Sequence, residues 1–273
     1  MRKLFILGAA IVVSVAMLLT SCKKEEVNDN GNNNGNTENP GGGSGSGNQE
    51  YPSTAVVLPN AVTDIDGNSY DAVQIGNQVW MAENLRTTKY ADGTAIVEGT
   101  SISSAPSRYT RSATDVATYG YLYNWPAVMH EESPSSTNPS GVQGICPTGW
   151  HVPSDTEWTQ LTAYLGSHSE YVCSGSGEKI AKALASTNGW YSNGDECAVG
   201  NNPSTNNATG FSALPAGLYD GDYGDLGAGA YFWSATKCGD NGAYFSFLAY
   251  GYANVGRYHD IKYNGYSVRC VRD

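Results

Sequence analysis

Several familiar catalytic signatures are missing from this chain. Histidine is scarce, with four copies in 273 residues, and no two of them share a metal-ligand spacing, which argues against a His-based zinc centre. There is no Walker loop, no dinucleotide-binding glycine fingerprint and no G-x-S-x-G elbow, so nucleotide chemistry and hydrolase chemistry of that type lack their usual sequence support. Basic residues are few, 15 against 26 acidic ones, and the formal net charge is −11. An acidic chain without a basic patch argues against nucleic acid as a partner. No fixed-period repeat is visible, which argues against a solenoid or propeller. No cofactor and no metal is expected from these absences.

The last 63 residues, 211–273, contain neither Glu nor Gln, yet hold nine Tyr, four Phe, one Trp and ten Gly. Tyrosine supplies large, stiff contact area at low entropic cost, and Gly, Ser and Asn adapt around it, as in antibody-like binding surfaces. The first expectation is therefore a binding surface and not an enzyme. The ligand-contacting set read from this stretch is Tyr219, Tyr223, Phe245, Phe247, Tyr250, Tyr252, Tyr258, His259 and Tyr263. Alternation along a strand puts Phe245 and Phe247 on one face, and Tyr250 and Tyr252 likewise share one. Asp220, Asp222 and Asp225 have the D-x-D-x-x-D look of a calcium loop without the trailing Glu, so weak calcium binding stands there against a plain solvated turn.

The chain begins with Arg2, Lys3 and an apolar run, residues 4–19, ending at Cys22, a signal-peptide pattern over residues 1–21. The small residues before Cys22 resemble a bacterial lipobox, which implies lipidation of Cys22 and a membrane anchor at the mature N-terminus. Lys23, Lys24, Glu25 and Glu26 resemble the surface-export signal of Bacteroidetes lipoproteins, which implies an outer-membrane, cell-surface location. Asn, Gly and Ser then dominate to residue 50, a tether that would hold the domain roughly 25 to 30 Å from its anchor. Residues 51–273 are long enough for one well-buried domain.

Within that domain, AVTDIDGNSYDAVQIGNQVWM (residues 61–81) reads as a meander of three short strands turning at Asp66-Gly67 and Gly76-Asn77. Glu83 and Arg86 read as an edge salt bridge. Residues 101–112 read as a surface loop. The aromatic run YGYLYNWPAVMHEE (residues 119–132) reads as a buried segment entering a short helix, with Trp125 biased to extended backbone by Pro126. Ser154 caps a helix, Glu157 completes a capping box, Trp158, Leu161, Tyr164 and Leu165 recur at helical spacing, and Gly166 stops it. A second helix is expected over residues 178–185, and everything after Phe211 should be β. His151 reads as a packed, hydrogen-bonded residue.

Six cysteines, one of them lipidated, leave at least one without an intrachain partner in an oxidising compartment. Joining Cys146 to Cys270 would close a loop of about 120 residues, worth roughly 4 to 5 kcal/mol by chain entropy. Cys173 and Cys197 form the second expected pair, and Cys238 is left as an exposed thiol.

The blocks DGNSYDAVQIGNQVWMAENL, YGYLYNW, CPTGWHVPSDTEW, GFSALPAG, FWSAT and SVRCVRD, in that order, resemble the Fibrobacter succinogenes major paralogous domain. That resemblance implies an α+β fold of the C-type-lectin-like kind, with two helices beside a small twisted, mainly antiparallel sheet and paired N- and C-terminal strands. The closure it implies suits a Cys146 to Cys270 bridge. The calcium tripeptides of sugar-binding lectins and the redox cysteines of formylglycine-generating enzymes are not recognisable here. Residues 218–266 also resemble the variable region of diversity-generating retroelement targets, with 230–236 and 267–273 as framework. Such a domain would bind an extracellular protein or glycan. A structural or adhesive envelope role is the alternative, and a hydrolase the third reading.

Overall fold

The computed structural model describes residues 55–273. The leader, Cys22 and the tether expected before residue 51 lie outside them. The meander forms as β1 (Val56–Thr63), β2 (Ser69–Ile75) and β3 (Gln78–Met81). Its turns use Gly67 at φ +85° and Gly76 at φ +60°, a region that favours glycine. β1 starts earlier than expected and bulges between Leu58 and Val62. Glu83 and Arg86 form the anticipated ion pair at 2.7 Å.

Three elements were not all legible in the segment that follows. β4 (Val97–Glu98) and β5 (Ser107–Tyr109) lie inside polar sequence, and α1 (Ala113–Tyr119) starts from Ser112, whose hydroxyl accepts from the Asp115 N–H. The expected loop over residues 101–112 therefore contains a strand, because Tyr109 pairs with Leu122 and is fully buried. The chain then enters β6 (Leu122–Asn124) and α2 (Trp125–Met129). Trp125 is helical despite the following proline: the Asn124 side chain caps α2 through the Ala127 N–H, and the Trp125 ring N–H donates to the Ser234 carbonyl at 2.8 Å. Tertiary anchoring overrides the local bias.

β7 (Trp150–His151) leads into α3 (Asp155–Ser167), where the Ser154 and Glu157 capping box is complete. Gly166 does not end α3; a Cβ there would lie 2.5 Å from the Gly177 carbonyl, so glycine is required by close backbone approach. The second expected helix shrinks to one turn, α4 (Ala181–Leu184). Ala185 leaves it in an extended bridge to Ala213, and the Ala181 N–H is taken by the Ala253 carbonyl. Among the described residues the two-helix expectation is thus corrected to four short α-helices.

The region after Phe211 is all β, as expected: β8 (Leu218–Tyr219), β9 (Tyr223–Gly224), β10 (Gly229–Cys238), β11 (Gly242–Ala249), β12 (Gly256–Ile261), β13 (Gly265–Tyr266) and β14 (Val271–Arg272). Three sheets result, ordered β1-β2-β3-β14-β7, β10-β11-β12 and β4-β5-β6-β13-β8-β9. β14 lies between β3 and β7 and does not touch β1, so the terminal strands share a sheet without pairing directly. Both expected disulfides, Cys146–Cys270 and Cys173–Cys197, are formed. Cys238 is not an exposed thiol: it closes β10 at 8% exposure, and no free cysteine occurs among the described residues.

The core has two main parts. One packs Trp80, Trp158, Leu161, Leu165, Phe211 and Phe232 between α3 and the sheets, with Trp80 and Trp158 centroids 4.6 Å apart. The other gathers Tyr123, Trp125, Trp150, Trp233, Phe245 and Tyr266. No helix of the described residues is long and apolar enough to cross a membrane.

Candidate functional site

The antiparallel register of β10, β11 and β12 decides which aromatic side chains share a face. Tyr231 opposes Phe247, Trp233 opposes Phe245, and Phe245 opposes Tyr258. These residues make one face of the sheet, on which burial falls off steadily. Trp233 is fully buried and Phe245 6% exposed, Tyr231 and Phe247 are half-buried, and Tyr258 is 61% exposed. Tyr266 lies beneath them, its ring 4.4 Å from Trp233, 4.9 Å from Phe245 and 5.4 Å from Tyr231. The exposed rings thus rest on buried rings, and each holds its place through its neighbour.

Two glycines make room for this stack. A Cβ on Gly256 would meet the Phe247 ring at 2.2 Å, and one on Gly229 would meet the Tyr231 ring at 2.6 Å. The Tyr231 hydroxyl donates to the Asp225 carboxylate at 2.6 Å. Burial, then that hydrogen bond and the carboxylate's charge, raise the Tyr231 phenol pKa, so it remains a neutral donor at physiological pH. Tyr252, 58% exposed, is near enough for its own phenol to add to the shift.

The opposite face carries Phe232 and Leu248 onto α3, and at its outer end Tyr244, Arg257 and His259. The Arg257 guanidinium pairs with Asp155, one contact being 2.7 Å, and lies 3.9 Å over the Tyr244 ring. Tyr244 meets His259 edge to face at 6.0 Å.

The nine residues read from the sequence therefore divide. Tyr252, Tyr258 and His259 are exposed, and Phe247, Tyr250 and Tyr263 are half-buried. Tyr219 and Phe245 are corrections: they are 4% and 6% exposed, Tyr219 stacked on Tyr109 at 4.2 Å, and such covered rings brace the surface from behind. Tyr223 stands at a separate corner, its hydroxyl donating to the Thr110 carbonyl and its ring under Arg111. Tyr250 meets Tyr191 edge to face at 5.9 Å. Tyr231, Tyr244 and Tyr191 were missed. Tyr231 could have been found, since it stands two residues before Trp233 in a strand and so shares its face; Tyr191 carried no signal beyond its place beside Trp190.

Asp220 and Asp222 are joined by a backbone turn, while Asp225 is engaged by Tyr231. Among the described residues no group of three His, Cys, Asp or Glu side chains stands close enough to hold a metal ion, so the three aspartates do not converge as a calcium loop. A cleft of about 210 Å³ between Asp64, Lys89 and Cys146 lies elsewhere. Its Asp64 carboxylate accepts from Asn68 and from the Tyr70 hydroxyl, which commits it to the β1 turn.

An α+β domain whose described residues form three small sheets, a braced aromatic face and the Cys146–Cys270 and Cys173–Cys197 disulfides is the class that these observations define. The chain belongs to the Fibrobacter succinogenes major domain family, whose profile matches residues 73–272. No curated protein and no solved structure matches it.

Proposed function

We propose that the protein is a lipid-anchored lipoprotein of the outer-membrane surface that binds an extracellular protein or glycan through the aromatic face of β10–β12. In this reading the domain is a C-type-lectin-like scaffold, lipidated at Cys22 and displayed on the tether. Residues 218–266 are its site of diversification, with Tyr231 contributed by the framework. The observation that carries the proposal is the continuous aromatic stack running from buried Trp233 and Tyr266 out to Tyr258, with Tyr252 beside it. Pre-positioned rings lose little entropy on binding, and a glycine-lined surface lets a ligand approach closely.

The reading also accounts for which aromatic residues are spared. Tyr219 and Phe245 serve as supports, whereas Tyr252 and Tyr258 are exposed, the Tyr258 ring having its second side covered by the stacked His259 at 5.1 Å. Paired Tyr252→Ala and Tyr258→Ala substitutions should abolish capture on protein and glycan arrays while leaving the melting temperature unchanged. Capture that survives both substitutions would overturn the assignment. Diversification has its own test in the neighbouring DNA, where a template repeat differing from the gene only at adenines should accompany a reverse transcriptase.

A further inference from the structure

The sheet β10-β11-β12 has one open side, and its hydrogen-bond phase can be read from a single contact. The Lys262 N–H donates to the Asn241 carbonyl at 2.9 Å, which makes these two opposed residues a hydrogen-bonded pair continuing the β11–β12 register. Pairs alternate along an antiparallel ladder, so Asp260, Tyr258 and Gly256 bond to β11, and the backbone groups of Arg257 and His259 point outward. Among the described residues β12 has β11 as its one strand partner, and no turn or loop backbone group bonds the N–H or C=O of either residue. At Ile261 the row closes on itself, because its N–H donates to the Asp260 carboxylate at 2.7 Å and its carbonyl accepts from the Asn264 N–H.

Other strand edges of the described residues are blocked or short. β1 carries Pro59, a left-handed Asn60 at φ +49° and a bulge, all of which spoil strand addition. β4, β7 and β9 have two residues each. The outer side of β10 is occupied: Trp233 donates to the Ser267 carbonyl, Ser267 to that of Tyr231, and Gly217 to that of Gly229. β12 has no proline and no bulge, and it is exposed at Arg257, Tyr258 and His259.

We infer that β12 is a strand-addition site that takes an extended, basic segment of another protein. Two outward donors and two outward acceptors at alternate residues are matched by another extended backbone and by little else. The sign of the charge follows from the chain, which carries 26 acidic against 15 basic residues. Arg257, the basic residue on the strand, has its charge already held by Asp155. A second copy would bring the same net −11 and be repelled. Side chains of the added segment would meet the rings of Tyr258 and His259, which stack on each other 5.1 Å apart at the exposed strand. The site depends on backbone groups, so it stands or falls separately from the aromatic-face reading above.

A fluorescein-labelled peptide alternating Lys and Val, followed by anisotropy at low salt, tests this. His259→Pro removes an outward N–H without costing a ladder bond, since proline is tolerated on an edge strand. The wild-type protein should bind the peptide saturably. His259→Pro should weaken binding at least about tenfold relative to His259→Ala, and a peptide N-methylated at alternate residues at least about tenfold relative to the unmodified one, with all variants melting as wild type does. A Glu and Val peptide should bind more weakly than the Lys and Val one. Lack of saturable binding, equal binding by His259→Pro or by the N-methylated peptide, or a dimer in sedimentation that His259→Pro abolishes would each overturn the inference.

Discussion

Arg269 is wholly buried, and its guanidinium is used as a structural hub. It donates to the Asn84 side-chain oxygen at 2.6 Å and to the carbonyls of Met81, Phe211 and Ser212, with its plane 4.7 Å from the Phe211 ring. The planar fork serves four acceptors at once, more than the three N–H groups of an ammonium can. Arg269→Lys should therefore lower unfolding free energy in urea by about 3 kcal/mol or more, the scale for breaking a buried charged network. The motif SVRCVRD was legible as framework, but its burial was not, because arginine composition alone points to the surface. The same limit applies to Tyr219 and Phe245, whose sequence context matches that of exposed Tyr252 and Tyr258 while their burial is opposite.

At the scale of elements, α3 is the clearest case of local sequence deciding local structure. Ser154 and Glu157 cap it as their spacing predicts, and the same Glu157 also reaches the His151 Nε2 at 2.7 Å. Asp273 holds the His151 Nδ1 at 2.7 Å, so one imidazole ties β7 to α3 and to the chain end beyond β14. Burial pulls the His151 pKa down, but the two carboxylates more than offset this and hold it above its ordinary value of 6.5. A folded-state pKa above the unfolded one stabilises fully below the unfolded value, and that contribution is lost as pH rises through the folded one. The melting temperature should accordingly fall as pH is raised from about 6.5, and His151→Gln should remove that part of the slope. A pH series of thermal melts on both proteins checks it. By contrast α1, β4 and β5 were hidden in polar sequence, since their partners are distant and their own patterns are too short to show periodicity.

For the whole molecule, the Cys146–Cys270 bridge spans 124 positions and joins the segment before β7 to the chain end. Replacing both cysteines by serine should cost roughly 4 to 5 kcal/mol in urea unfolding on the chain-entropy model, more than loss of the shorter Cys173–Cys197 loop. The order of family blocks, the acidic charge, the meander, the capped helix and the Tyr and Gly richness of the last quarter could all be read from sequence, because each depends on residue type or short spacing, and the disulfide pairs were expected from where the cysteines flank the helices and the chain end. Which tyrosines face outward could not. That follows from strand register and from what each ring rests on: Tyr258 and Phe245 oppose each other on one face, yet one is exposed and the other covered by Tyr266, a neighbour brought there by β13. The open edge of β12 was likewise invisible, since an edge is defined by the strand that is absent beside it, and only the assembled sheet determines that.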